Sequence, residues 1–243
     1  MVNKKNSSIL IGLCLFVIGA LLISIITSCG KQSNASPTGL NIQYDILNLS
    51  PDLGPIDLYI DFKQVNSITN PDIFQINQGY FYVPSADIPY QFRPYVPNGT
   101  SGTTLFTRSD TLKPGLKYSL FVTGTIGDGS LKQIFTVDTA SSPVVGRGKV
   151  RFVNASASAT SGLDVYANGT LAFTKINYTS YTKYIELPIG NYDFQITTPG
   201  SSTVLKDQPN VIIQDGRLYT LYAYGYTNRT DSAAFNAGVI VNK

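Results

Sequence analysis

The sequence predicts an all-β fold arranged as two tandem domains, and three observations predict it. Composition is the first: 16 Tyr and 12 Phe, with many Val, Ile and Thr, favour strands. In the same direction, 21 Gly, 13 Pro and a single glutamate, Glu186, favour turns over helices. The second is a succession of short apolar alternations separated by turn residues, the pattern of a sandwich or barrel. The third is that this succession occurs twice.

The repeated part follows a leader. Lys4 and Lys5 precede an apolar run over residues 9–26, which ends in Thr27-Ser28-Cys29-Gly30. That order is a basic region, a hydrophobic region and a small-residue processing site, so residues 1–28 are read as a signal peptide and set apart from the fold. Ile26-Thr27-Ser28-Cys29 resembles the bacterial lipoprotein lipobox, in which the cysteine becomes the first mature residue and its sulfur carries a diacylglycerol. Two or three acyl chains, each contributing roughly 0.8 kcal/mol per buried methylene, hold a protein where one would not. The alternative is an uncleaved anchor, since 18 residues just reach spanning length; such an anchor has no need of Ser-Cys-Gly at its outer end. Residues 29–39 are polar and small, the composition of a flexible tether.

Removing residues 1–28 from 243 leaves 215, enough for two β domains of about 100 residues. It also lowers the basic count from 18 to 16 against 15 acidic residues, so no nucleic-acid surface is indicated. Cys14 lies in the leader and Cys29 is expected to be consumed by lipid, which leaves no thiol for a disulfide or a thiolate metal site. The chain has no histidine, which removes the His-dependent triads, HExxH metal sites and the usual general base at neutral pH. The expectation is therefore a protein that is not an enzyme and needs no cofactor.

In the first repeat, strand candidates fall at 42–48, 56–62, 79–83, 90–96, 104–108, 118–123 and 132–137. Residues 49–55 can only be a loop, Lys113-Pro114-Gly115 is a turn, and Gly127-Asp128-Gly129-Ser130 a tight hairpin connection. Residues 139–148 have linker composition and place domain boundaries near 40–140 and 148–243. After the linker the order of events returns. Asn48 is echoed by Asn154, Asp57 by Asp164 and Tyr118 by Tyr219, at offsets of 106 (154 less 48), 107 (164 less 57) and 101 (219 less 118). Candidates in the second repeat are 150–156, 163–167, 171–175, 181–187, 192–197, 211–214, 218–226 and 237–241, with Asn168-Gly169 a type I′ hairpin signal.

The stretches 148–156, 163–169, 178–190 and 218–221 resemble the bacterial family called domain of unknown function 4397. The resemblance is good over 148–225; in the first repeat Asp57-Leu58-Tyr59 and residues 115–122 carry it, while the opening strand diverges. It implies tandem Ig-like antiparallel β-sandwich domains on a lipoprotein, and it implies no reaction and no ligand.

Several residues are candidate contacts. On strand 218–226 the two-residue period puts Tyr219, Leu221 and Ala223 on one face, expected to be the core, and Tyr222, Tyr224 and Tyr226 on the other. Such a row of phenols can stack on sugar rings as a glycan platform; the alternative is packing against the first domain or a neighbouring strand. Tyr80 and Tyr82, beside Pro84 and Pro89 in the segment 79–97, form a second candidate, against the alternative of an edge strand trimmed by prolines. Asp57 and Asp61 share a strand face in this reading, and Asp164 repeats Asp57. An acid and base pair for glycoside hydrolysis is one interpretation, but recurrence in both domains points to bonding of backbone amides.

Asp110-Thr111-Leu112, Asp138-Thr139-Ala140 and Asp231-Ser232-Ala233 resemble an O-glycosylation acceptor of Bacteroidota, making Thr111, Thr139 and Ser232 candidate sites. The expected protein is a lipid-anchored cell-envelope binding or scaffolding module, held to a membrane by the lipid on Cys29, with an outer-membrane placement favoured. Its expected partners are a glycan or another envelope protein and not nucleic acid; a pilin-like or adhesive subunit is the alternative.

Overall fold

The computed structural model describes residues 39–65, 79–96 and 102–243. The leader, Cys29 and most of the tether lie outside the described residues. Among the described residues there is no helix, and sixteen strands form four sheets of four strands each.

The first domain comprises β1 (Asn41–Asn48), β2 (Ile56–Ile60), β3 (Lys63–Gln64), β4 (Phe81–Pro84), β5 (Tyr90–Pro94), β6 (Phe106–Arg108), β7 (Lys117–Thr123) and β8 (Lys132–Val137). The second comprises β9 (Arg147–Ala155), β10 (Leu163–Ala167), β11 (Thr170–Ile176), β12 (Ile185–Pro188), β13 (Gly190–Thr197), β14 (Val204–Ile213), β15 (Leu218–Tyr224) and β16 (Asn236–Val241). The sheets run β4-β1-β7-β8 and β3-β2-β5-β6 in one domain, β12-β9-β15-β16 and β11-β10-β13-β14 in the other. Adding eight to every label of the first pair of sheets yields the second, so the two sandwiches share one topology.

Each pair of sheets encloses its own core. Tyr44, Ile46, Leu58, Phe92 and Leu120 fill the first, and Phe152, Val165, Phe194, Ile196 and Leu221 the second. Burying each of these side chains contributes about 1.5–3 kcal/mol, which offsets the entropy of ordering so many short strands.

The departures from expectation have local causes. One pair in each domain is parallel, β1 with β7 and β9 with β15, where a purely antiparallel sandwich was expected. These partners are joined through the opposite sheet and not by a hairpin, and only such a crossover can return a strand in the same direction. Strand β3, two residues long, has no alternation to read. It follows Asp61 and Phe62, which turn the chain at φ 49° and 62°. Asp61 therefore leaves the strand and shares no face with Asp57; it pairs with Lys63 at 3.3 Å on the surface.

Strand β14 begins at Val204, seven residues before the expected 211. Pro209 and Asn210 bulge opposite Asp193, with Asn210 at φ 59°. A proline cannot donate to the ladder, so the run reads as broken where the strand only bends. Residues 181–184 are not part of β12; Tyr181 makes an isolated bridge to Val153. The Asn168-Gly169 connection does have both residues at positive φ, 47° and 78°, as a type I′ turn requires.

Candidate functional site

Strand registers fix which residues of the two domains correspond. Tyr44 pairs with Tyr118 across β1 and β7, and Val150 with Tyr219 across β9 and β15. Tyr44 thus corresponds to Val150, Asp45 to Arg151, Leu47 to Val153, Ser119 to Thr220 and Phe121 to Tyr222. By the flanking pairs, Tyr80 corresponds to Tyr184 and Asp138 to Asn242.

These counterparts meet. Side chains on the outer faces of β1, β7 and β8 and of β9, β15 and β16 form a third apolar cluster that includes Leu47, Leu49, Phe121, Val153, Ala155 and Tyr222. The rings of Phe121 and Tyr222, corresponding residues, lie 5.7 Å apart. When like positions of two copies touch one another, the contact is isologous, the arrangement of a two-fold dimer within one chain. The direction of the strands follows from two further bonds. Asp138 and Asn242, which cap the starts of β7 and β15, are joined through the Tyr80 hydroxyl at 2.7 Å each. At the opposite end, the Thr123 hydroxyl at the end of β7 donates to the carbonyl of Ala155 at the end of β9, at 2.5 Å. The facing sheets therefore run in the same sense, and β1 and β9 start at one end of the molecule.

A polar cluster sits inside this contact. The Arg151 guanidinium, 2% exposed, donates to Thr220 Oγ1 at 2.8 Å, the Val137 carbonyl at 2.8 Å and Thr136 Oγ1 at 2.9 Å, and it is ion-paired with fully buried Asp138. Asp138 Oδ2 accepts from the hydroxyls of Tyr80 at 2.7 Å and Ser119 at 2.5 Å, and Oδ1 from Thr136 at 2.8 Å. Tyr184 donates to the Asp138 carbonyl and to Asn242 Oδ1, both at 3.3 Å. Burial foremost, with the Asp138 charge adding, pushes the Tyr184 hydroxyl up to about 12 against the opposing pull of Arg151.

One member is less well served. Asp45, the counterpart of Arg151, is buried, and its Oδ1 has no hydrogen-bond partner among the described residues. Burial, followed by the Asp138 charge, pushes its carboxyl up to about 7. Nothing in the sequence singled out Arg151, Asp138 or Asp45 as a cluster. The available signal was a set of small polar residues, Ser119, Thr136 and Thr220, at outward-facing strand positions.

The tyrosine ladder divides as the two-residue period requires: Tyr219, Leu221 and Ala223 lie in the second core, and Tyr222 faces away from it. That outward face is covered by the first domain. Tyr222 is 2% exposed and stacks on half-buried Tyr224 at 5.8 Å, so it presents no ring to a ligand. Tyr226 is half-buried, with its hydroxyl enclosed. Tyr80 belongs to the buried cluster, whereas Tyr82 is 49% exposed and accepts a bond from Gln43 Nε2 at 2.8 Å. The structure thus brings Tyr80 and Tyr222 into the same interdomain contact and leaves Tyr82 open on the surface.

The carboxylates are held structurally. Asp164 accepts from the amides of Lys175 at 2.7 Å and Gly200 at 3.2 Å. Asp57, its counterpart, is likewise buried. Among the described residues no three metal-ligating side chains come together. Thr111, Thr139 and Ser232 are all exposed, although the Thr139 hydroxyl accepts from the Lys117 amide at 2.9 Å, and the aspartate before it is Asp138 of the buried cluster.

No curated protein matches the chain. Among solved structures it is similar to the Bacillus anthracis TIE protein at 9% identity and a TM-score of 0.22, over 83% of this chain and 43% of that one; a likeness so slight carries no argument. The chain accordingly spans less than half the length of that protein. A family model described as Domain of unknown function (DUF4397) matches residues 43–161 and 157–242, which takes in both sandwiches. With both of its repeats matched, the chain belongs to the DUF4397 family.

Proposed function

We propose that the protein is a lipid-anchored component of the bacterial cell envelope, in which two sandwiches act as one stiff, non-catalytic scaffold that holds its outer loops away from the bilayer for binding. The observation that carries this reading is the order of the first thirty residues: two lysines, an apolar run, and Ile26-Thr27-Ser28-Cys29 followed by a chain without another cysteine. The buried contact between the domains supports the scaffold half of the reading, because a stiff pair transmits position where a hinged pair would not. The lack of histidine and the engagement of Asp164 and Asp138 in structural bonds favour a role without catalysis. With Tyr222 enclosed, Tyr82 is the one of the five candidate tyrosines that stands exposed to a glycan or protein.

Metabolic labelling with a palmitate analogue tests the anchor. The full chain is expected to take up label and to float with membranes through a high-salt wash, and Cys29→Ala to abolish the label. An unlabelled wild-type chain, or label that survives Cys29→Ala, would overturn the reading.

A further inference from the structure

The end of the molecule at which the folded chain begins differs from the other end. Leu40 precedes β1, and its carbonyl holds the Ser85 amide at 2.8 Å. The loop after Ser85 leads into β5, whose first residue, Tyr90, pairs with Ile60 next to the Asp61-Phe62 turn. The interdomain linker lies at this end too. The Ile189 amide donates to the carbonyl of Gly146 at 3.0 Å, and the Gly146 amide to Asp215 Oδ1 at 2.8 Å, while Ile212 and Ile213 pair with Asn191 and Gly190 beside Ile189. Three loops of the second domain and two of the first therefore share the starting end.

Their side chains are apolar and open. Val145 is 88% exposed, and Leu40, Phe62, Val144, Ile189 and Ile212 are all exposed as well. Among the described residues, the exposed large apolar side chains at the far end are Ile126, in the β7–β8 hairpin, Val204 at the start of β14 and Tyr181 beside the end of β9. An apolar set gathered at one end of a domain pair marks a contact surface.

Cations accompany it. Lys113, Arg147 and Arg217 are exposed at the same end, with Lys117 half-buried, and none of the four stands in an ion pair among the described residues. Burial first, and then the neighbouring Arg217, hold the Lys117 ammonium below its usual range despite the opposing pull of Asp138. Two like charges from different domains are thus set near one another. Acids stand at this end as well: Asp215 binds the Gly146 amide, Glu186 lies 3.7 Å from Lys149, Asp61 pairs with Lys63, and Asp87 in the β4–β5 loop is exposed, so the cations gather on the second-domain side with Lys113 and Lys117 beside them.

We infer that this end is a membrane-docking face, in which Val144, Val145, Ile189 and Ile212 enter the interfacial layer of a bilayer while Arg147 and Arg217 meet anionic lipid headgroups. The inference rests on the lipid anchor proposed above, and the length of chain favours a bilayer as occupant. Eleven peptide steps separate Cys29 from Leu40, so the face can stand no more than roughly 40 Å from the anchored sulfur. Apolar tips with flanking cations fit the headgroup boundary of an anionic surface. Lipid and loops together form a two-point attachment, which turns this end of the sandwiches toward the membrane.

The test uses the full lipidated chain on vesicles of phosphatidylethanolamine with phosphatidylglycerol, and on vesicles of phosphatidylcholine alone. A fluorophore is placed by Val145→Cys, or by Ile126→Cys at the far end, and flotation through high salt is scored separately. The proposal predicts quenching by nitroxide lipids at position 145 on anionic vesicles and none at 126. Substituting Arg147→Gln with Arg217→Gln should reduce the docked fraction on the order of tenfold. A chain that floats with its 145 label unquenched would overturn the docking face and leave the anchor intact. Disulfide-linked dimers through position 145 would assign the patch to a second copy and overturn it too. A chain that does not float removes the anchor, and the docking face with it.

Discussion

Arg151 heads the fully buried side chains of the described residues by size, and its position explains why the polar cluster holds the domains together. A buried guanidinium is tolerated because its donors find Asp138, Thr136, Thr220 and a carbonyl. Removing one partner leaves the other charge enclosed, so Arg151→Met is expected to destabilise the protein by about 3–5 kcal/mol in urea titration. Combining it with Asp138→Asn should recover a large part of that loss, since no unpaired charge then remains. Asp45 makes a pH prediction. Its carboxyl ionises in the folded protein near pH 7 but in the unfolded chain near its ordinary value of 3.8. Between those values the folded state binds the extra proton, so the stability contribution of the neutral form is complete below about pH 4 and is lost as pH rises through about 7. Asp45→Asn should flatten the decline in stability between pH 4 and 8 and leave the variant the more stable at pH 8, as thermal melts across pH would record. None of this was legible beforehand: alternation places Arg151 on an outward face, and an outward arginine reads as solvated until another sheet is laid over it.

At the scale of elements the duplication was legible. Corresponding strands keep the same inward pattern: Asp57-Leu58-Tyr59 and Asp164-Val165-Tyr166 hold equivalent places, and Leu58 and Val165 both enter their cores. The Asn168-Gly169 turn was legible because its conformation demands those residues. Strands β3 and β14 were not, one being too short to show a period and the other bent at Pro209. The alternation of β15 was right, but it carries no information about what covers the outer face, and this decided whether Tyr222 binds or packs. Its ring lies over Gly238, paired with it on β16, where a Cβ would collide with the phenol. Gly238→Ala is thus expected to cost about 1–3 kcal/mol through displacement of Tyr222 from the interdomain contact. A lowered melting temperature together with increased solvent quenching of tyrosine fluorescence would record it; an unchanged melt would show that the ring has room to move.

For the whole molecule, the central claim is that linker-joined sandwiches with a common topology have closed on each other as an isologous pair, with Tyr82 left exposed. The linker composition of residues 139–148 pointed to separable domains, whereas Lys149 Nζ and Lys243 Nζ hold Ser141 and Ser142 of this linker at 2.9 and 3.1 Å. The most direct measurement is a pulsed dipolar distance distribution between spin labels at Thr107 and Asp207, exposed and corresponding positions on β6 and β14. A single narrow distribution that broadens in Phe121→Ala with Arg151→Ala is the predicted result. A broad distribution in the wild-type chain, unchanged by those substitutions, would contradict it.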